Sequence, residues 1–157
     1  MVIQMNDNEN FFPLSSSEQE GTENKSASNL STGENKIPSS KPLLLVAEDN
    51  SDNYLLLKCI LQADYHLIHA WNGKEAVELF RKHQPQLILM DIRMPEMNGY
   101  EATAEIRKIS ATIPIIAVTA YAYAQDIEQI SKSGFSAYLS KPISVVGIKE
   151  KIQEVFK

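Results

Sequence analysis

The sequence lacks the features that mark secreted, membrane-spanning and nucleic-acid-binding proteins. It contains one cysteine in 157 residues, so an intrachain disulfide is impossible. No apolar run approaches the roughly 18 residues that cross a bilayer, and no basic segment followed by a hydrophobic stretch marks a signal peptide. The net charge is −5 and the basic residues are scattered, which argues against direct nucleic-acid binding. These absences predict a cytoplasmic chain that makes no membrane contact of its own.

Two local features of the sequence disfavour further kinds of site. The turn after the first apolar run, EDNSDN, is acidic and lacks glycine, which disfavours a dinucleotide or flavin site. The single cysteine, Cys59, has leucine and isoleucine neighbours on both sides. We therefore expect Cys59 to be a buried structural thiol and not a reactive one.

Composition changes sharply near Lys41. Residues 1–42 are rich in Ser, Asn and Glu, and their only aromatic residues are Phe11 and Phe12. Such a segment cannot bury enough apolar surface to offset its ordering entropy. We expect a disordered tail or interdomain linker over 1–42 and one folded domain over 43–157. The stretch NFFPL, which begins at Asn10, is more typical of the frayed end of a preceding element than of a docking motif.

From Leu43 onward, predicted strands and helices alternate. The strands are LLLVAE, YHLIHA, PQLILMD, IPIIAVT and SAYLS, and the segments between them have helical periodicity. Continuous apolar runs are typical of strands that are covered on both faces. Gly134 is expected to end the fourth helix, and Pro142 to break the chain before the last. The alternation predicts right-handed crossovers and a doubly wound parallel sheet.

Polar side chains recur at the carboxyl ends of the predicted strands, where open parallel sheets place function. Strand one ends in Glu48 and Asp49, and strand three ends in Asp91. Strand four ends in Thr119, and Lys141 follows strand five. Three neighbouring carboxylates need a proton or a cation to relieve their repulsion, and oxygen ligands suit Mg²⁺. A carboxylate nucleophile, a divalent ion, an ammonium and a hydroxyl suffice for phosphoryl transfer to aspartate.

Each of these residues also has an ordinary structural interpretation. Asp49 or Asp52 could cap the first helix, and Thr119 could cap the fourth. Lys141 could be a solvated surface lysine. The convergence of all these groups on one end of one sheet favours the functional interpretation.

Four motifs then carry a family resemblance. VAEDN, LILMDIRMPEMNGYE, IIAVTAYA and YLSKPI occur in order, and with them residues 41–157 resemble a response-regulator receiver domain of the CheY-like family. The motifs are most similar to the receivers of hybrid sensor histidine kinases. The resemblance implies a flavodoxin-like, five-stranded parallel sheet of order 2-1-3-4-5 with five helices. It also implies a two-component phosphorelay in which a histidine kinase or a histidine phosphotransfer protein is the donor.

The resemblance implies a role for each residue at the strand tips. Asp91 is the implied phosphoacceptor, and Lys141 is the implied pocket lysine. The implied Mg²⁺ ligands are Glu48, Asp49 and Asp91, together with the backbone carbonyl of Arg93. The family holds the peptide bond that corresponds to Lys141–Pro142 in cis.

The resemblance also implies a switch. Phosphorylation adds charge and acceptor oxygens to Asp91, which would draw the implied switch hydroxyl, Thr119, towards the phosphoryl group. The implied switch aromatic, Tyr138, would then rotate inward and change the surface of helix four, strand five and helix five. An ordinary half-buried strand aromatic is the alternative interpretation of Tyr138.

Three further residues are expected near the pocket. Arg93 and Tyr121 each lie two residues beyond a strand tip, so we expect them at the pocket mouth, where they affect the lifetime of the phosphoryl group. The ordinary interpretation of each is a simple surface residue. The only tryptophan, Trp71, follows strand two and is expected to report Mg²⁺ binding by its fluorescence.

Two alternative classes of protein fit the sequence less well than a phosphoacceptor. In haloacid dehalogenase-like phosphatases the nucleophile ends the first strand and an acid lies two residues later, whereas here Asp91 ends the third strand and Arg93 follows. Receiver-like modules that work without phosphorylation usually lack part of the acidic cluster or the lysine, and this chain has both. We expect a non-enzymatic domain with at most self-phosphorylation and self-dephosphorylation, as a monomer or weak dimer. Its setting is the C-terminal receiver of a hybrid kinase, which could tether it to a membrane, or alternatively a stand-alone receiver.

Overall fold

The computed structural model describes residues 40–157. The expected tail or linker over 1–42 lies almost entirely outside the described residues, as does the NFFPL stretch. Five strands and five helices alternate along the described chain. They are β1 (Leu43–Ala47), α1 (Ser51–Leu61), β2 (His66–Ala70), α2 (Gly73–His83), β3 (Leu87–Asp91), α3 (Gly99–Ile109), β4 (Ile115–Thr119), α4 (Ala124–Lys132), β5 (Ala137–Ser140) and α5 (Val145–Val155). Within 40–157, no helix has the length and hydropathy to span a membrane.

The five strands form one parallel sheet in the order β2-β1-β3-β4-β5, which confirms the predicted doubly wound fold. Ala47 at the end of β1 lies opposite Met90, and Asp91 at the end of β3 lies opposite Val118. The strand order reverses at β1, since β2 and β3 lie on its two sides. The carboxyl ends of β1 and β3 therefore flank the crevice at which open α/β sheets place function.

Alternate residues of β1 and β3 enter two separate apolar layers. Leu44 and Val46 of β1 face one layer, and Leu45 and Ala47 face the other. The first layer is completed by α1 and α5, through Leu57, Ile60, Leu61, Ile148 and Ile152. The second is completed by α2 and α3, through Ala76, Val77, Phe80, Ala102 and Ile106. Coverage on both faces explains why the strands are continuous apolar runs.

The prediction that Cys59 is buried is wrong, because its side chain is exposed. The buried residues of α1 are Leu57, Ile60 and Leu61, which lie three or four positions apart on one helix face. Cys59 lies roughly 200° around the helix from Leu57 and faces away from the sheet. Apolar neighbours in sequence therefore did not indicate burial, because some of them are themselves exposed.

The residues that cap the helices are not the acidic and hydroxyl residues that the ordinary structural interpretation named. Asn50, and not Asp49 or Asp52, caps α1 by accepting a hydrogen bond from the Asn53 N–H at 2.9 Å. Helix α4 begins after Tyr123 without a side-chain cap, so Thr119 does not cap it. At the other end of α4, Gly134 has φ 88°, a left-handed conformation that suits glycine and ends the helix.

Candidate functional site

Three carboxylates meet at the carboxyl ends of β1 and β3. Glu48 and Asp49 directly follow β1, and Asp91 is the last residue of β3. One carboxylate oxygen from each of the three lies within 4.8 Å of the others. Glu48 is 1% exposed and Asp91 is 6% exposed, whereas Asp49 faces solvent. Two charged groups are thus held away from water beside a third, an arrangement that requires compensating positive charge.

Lys141 supplies part of that positive charge. Its Nζ donates to Glu48 Oε2 and to Asp91 Oδ2, each at 2.9 Å. Burial alone would lower the pKa of Lys141, but the hydrogen bonds to Asp91 and Glu48 and their charges raise it above its ordinary value. The backbone N–H of Lys141 donates to the Thr119 carbonyl at 2.7 Å, and the following bond to Pro142 is cis, as predicted. The single positive charge of Lys141 thus offsets only part of the negative charge of the three carboxylates.

Backbone groups fix the two buried carboxylates further. Glu48 Oε1 accepts from the Asn50 N–H at 3.1 Å, and Asp91 Oδ1 accepts from the Arg93 N–H at 3.1 Å. Helix α3 begins unusually close to Asp91, since a Cβ on Gly99 would lie 2.3 Å from the Asp91 carbonyl oxygen. Only glycine permits this approach, so the glycine of the sequence MNG allows the start of α3 to lie against the backbone at the end of β3.

Thr119 is buried next to the cluster but is held by its own loop. Its Oγ1 accepts from the Tyr121 N–H and donates to the Tyr121 carbonyl, both at 3.0 Å. The Tyr121 ring in turn lies under the Arg93 guanidinium, with the guanidinium carbon 4.1 Å from the ring centroid. The loops that follow β3 and β4 are therefore joined by a cation–π contact.

The structure does not bring Tyr138 into the acidic cluster. Tyr138 is 38% exposed and lies on β5, paired with Ala117 of β4. It lines a surface cavity between α4 and α5 together with Ile127 and Lys151. The side chain is thus outward, as the ordinary interpretation of a half-buried strand aromatic also expects.

His69 is a neighbour of the site that the sequence analysis missed. In the sequence, strand two ends in Ala70 and Trp71 follows it, so its tip offers no carboxylate, hydroxyl or ammonium. The imidazole one residue earlier reaches across to β1, where His69 Nε2 lies 2.8 Å from the Glu48 carbonyl oxygen. The signal available in the sequence was a polar, hydrogen-bonding side chain near a strand tip.

The sequence profile of the family described as "Response regulator receiver domain" matches residues 44–153. This chain belongs to that family. A receiver domain is a component of two-component signalling, and it is generally not an enzyme. The family match runs from the second residue of β1 into α5.

Individual relatives agree with the family match. The chain is 43% identical over 113 residues to the polar-differentiation response regulator DivK of Brucella anthropi, covering 70% of this chain and 92% of DivK. It is 31% identical to the receiver domain of the sensor histidine kinase PA1611 from Pseudomonas aeruginosa, whose structure has a magnesium ion in the active-site cleft. That match has a TM-score of 0.70 and covers 75% of this chain and 100% of the other. CheY in a CheX complex from Borrelia burgdorferi, at 21% identity and a TM-score of 0.72, shares the fold, over 75% of this chain and 91% of the other.

Proposed function

We propose that Asp91 accepts a phosphoryl group from a phosphohistidine and that this modification switches the domain. The observation that carries the proposal is the geometry around the Asp91 carboxylate. Asp91 is buried at a strand tip, within 4.8 Å of two other acidic side chains, and it accepts a hydrogen bond from Lys141. A carboxylate oxygen of Asp91 would attack the phosphorus as the bond to the histidine nitrogen breaks. Lys141 is placed to offset the charge that remains on the phosphoryl oxygens.

The donor set fits Mg²⁺. Three carboxylates and one ammonium leave excess negative charge in a partly buried site, and hard oxygen ligands suit this ion. Glu48, Asp49 and Asp91 would hold it, together with the backbone carbonyl of Arg93. When bound, Mg²⁺ supplies charge neutralisation for the incoming phosphoryl group. The magnesium-bound PA1611 receiver, at 31% identity, supports this proposal.

The proposed switch begins at Thr119. In the present arrangement Thr119 Oγ1 is occupied by the backbone of Tyr121. A phosphoryl group on Asp91, on the adjacent strand, offers a competing acceptor of higher charge. Thr119 would leave Tyr121 for this acceptor, and Tyr138 would move inward from its half-exposed position. The surface formed by α4, β5 and α5 would then change for a partner.

The proposed donor is a histidine kinase or a histidine phosphotransfer protein. For the setting, we propose the C-terminal receiver of a hybrid sensor kinase, which is the kind of protein that contains the PA1611 domain. The similarity to DivK favours the alternative of a stand-alone receiver, because the matched 113 residues make up 92% of DivK. The size of the native protein on an immunoblot separates the two settings.

The phosphoacceptor role is tested by intact mass spectrometry after incubation with Mg²⁺ and acetyl phosphate. We expect one added phosphoryl group in the parent protein, none in Asp91→Asn, and none when EDTA removes the metal. Asp64→Asn is a matched control, because Asp64 is an exposed aspartate that pairs with Lys149 on the surface, and it should label fully. If the parent protein takes no phosphoryl group and beryllofluoride also fails to bind, the proposal is wrong and a phosphorylation-independent binding module takes its place.

A further inference from the structure

His69 lies beside the acidic cluster and contacts the backbone of one of its members. Its Nε2 is 2.8 Å from the carbonyl oxygen of Glu48. A carbonyl oxygen only accepts hydrogen bonds, so Nε2 carries the proton in this contact. The bond joins the end of β2 to the segment that bears two of the three carboxylates, Glu48 and Asp49.

A side-chain donor is needed here because the ladder between β1 and β2 ends at this point. The Glu48 N–H still donates to the Ala70 carbonyl, at 3.0 Å. In a continuing parallel ladder, the N–H of Asn72 would next donate to the Glu48 carbonyl. Asn72 instead caps α2, so the chain has already turned away from β1. His69 supplies the donor that the departing backbone does not, and the Glu48 carbonyl is satisfied.

Two aromatic rings hold the imidazole in place. The Tyr54 ring stacks on it with 3.6 Å between ring centroids and planes 2° apart. The Trp71 ring lies 4.2 Å away, tilted by 54°. Glu75 anchors Trp71, because its Oε2 accepts a hydrogen bond from the Trp71 backbone N–H at 2.6 Å. The orientation of the Nε2–H is therefore set by packing before any ligand binds.

We propose that His69 is a positioning residue for divalent-cation binding. Its hydrogen bond fixes the peptide between Glu48 and Asp49, and the plane of this peptide sets where the Asp49 carboxylate lies. The buried Glu48 and Asp91 carboxylates are fixed by their own hydrogen bonds, whereas the solvent-facing Asp49 depends on its backbone for position. A residue that orients a metal ligand without touching the metal itself raises metal affinity. The inference rests on the proposed metal site and deepens it.

Three variants separate the hydrogen bond from the stacking. His69→Phe keeps an aromatic ring and removes the donor, whereas His69→Gln keeps an amide donor of similar reach. His66→Phe makes the same chemical change at an exposed histidine at the opposite end of β2. We expect His69→Phe to weaken Mg²⁺ binding about tenfold, and His69→Gln and His66→Phe to stay within about twofold of the parent.

Isothermal titration calorimetry of the full chain with Mg²⁺ measures these affinities, and the free-ion electron paramagnetic resonance signal of Mn²⁺ gives a second readout. Thermal unfolding without metal shows whether each variant is folded under the binding conditions. An unchanged Kd in folded His69→Phe, or an equal loss in His69→Gln, would overturn the positioning role. Absence of Mg²⁺ binding by the parent protein would instead overturn the metal site itself, and the inference with it.

Discussion

Arg93 and Tyr121 contact each other between the loops that follow β3 and β4, with the guanidinium carbon 4.1 Å from the centre of the phenol ring. Arg93 follows β3 and Tyr121 follows β4, so the contact joins the two loops that follow Asp91 and Thr119. The backbone of Tyr121 also holds the Thr119 hydroxyl. One side-chain contact thus links the loop that follows Asp91 to Thr119, the residue proposed to switch.

We predict that Arg93→Ala and Tyr121→Ala shorten the lifetime of phosphorylated Asp91 severalfold. Each truncation removes one half of the contact that we expect to limit the approach of water to the acyl phosphate. Because the two residues share one contact, the double variant should lose little more than either single variant. The loss of phosphoryl mass with time after donor removal measures this.

Tyr121→Phe is the control for that prediction, since it retains an aromatic face for Arg93. Its lifetime should stay near the parent value. Parent-like dephosphorylation in both alanine variants would contradict the prediction.

Thr119→Ala should separate phosphorylation from switching. Asp91 keeps its neighbours and should still gain one phosphoryl group, but no hydroxyl is available to leave Tyr121 for the phosphoryl oxygens. The nuclear magnetic resonance signals of the Tyr138 ring should therefore shift on beryllofluoride addition in the parent and in Thr119→Ser, and stay in place in Thr119→Ala. An equal shift of the Tyr138 signals in Thr119→Ala would contradict the coupling.

Asp49→Asn should stabilise the protein when no metal is present. It removes one of three neighbouring negative charges, and the exposed position of Asp49 limits the gain in unfolding free energy to about 1 kcal/mol. The same change removes a proposed Mg²⁺ ligand, so the rise in Tm that saturating Mg²⁺ gives the parent should disappear. Thermal unfolding with and without Mg²⁺ tests both effects. A metal-free Tm below that of the parent would contradict the repulsion argument.

Gly99→Ala should destabilise the fold and weaken the site together. The added Cβ would meet the Asp91 carbonyl oxygen at 2.3 Å, so either α3 or the tip of β3 must shift. Overpacking against backbone costs about 2 kcal/mol. Denaturant unfolding measures the loss, and labelling by acetyl phosphate should slow in parallel.

Gly147→Ala is the matched control for Gly99→Ala. An added Cβ at Gly147 meets Ser144 Oγ at 2.6 Å, the atom that caps α5 by accepting from the Gly147 N–H, so the strain falls on the start of α5 and not on the acidic cluster. Its effect on labelling should be negligible. An equal loss of labelling rate in the two variants would mean that the approach of α3 to Asp91 has no special role.

The fold could be predicted from the sequence because its signals are local and repeated. Five apolar runs alternate with five periodic segments, and strands that are covered on both faces leave little ambiguity about their type. The proximity of Glu48, Asp49 and Asp91 followed from the same topology, since the ends of parallel strands share one edge. Lys141 joined them because it follows the last strand directly.

What the sequence could not supply depends on side-chain direction. Cys59 and Leu57 are two residues apart on one helix, and only the placement of the sheet decides which of them is buried. The reach of His69 to Glu48 depends on the direction of the imidazole and on its distance from β1, which no local pattern specifies. The outward position of Tyr138 likewise follows from packing between α4 and α5.

Locating the phosphoryl group distinguishes Asp91 from the two acidic side chains beside it. The protein is phosphorylated with acetyl phosphate and Mg²⁺ and then reduced with borohydride, which converts an aspartyl phosphate to homoserine. Peptide mass spectrometry should then find homoserine at position 91 and intact acids at Glu48 and Asp49. Homoserine at Asp49, or an Asp91 that stays unmodified in protein that has gained a phosphoryl group, would contradict the account.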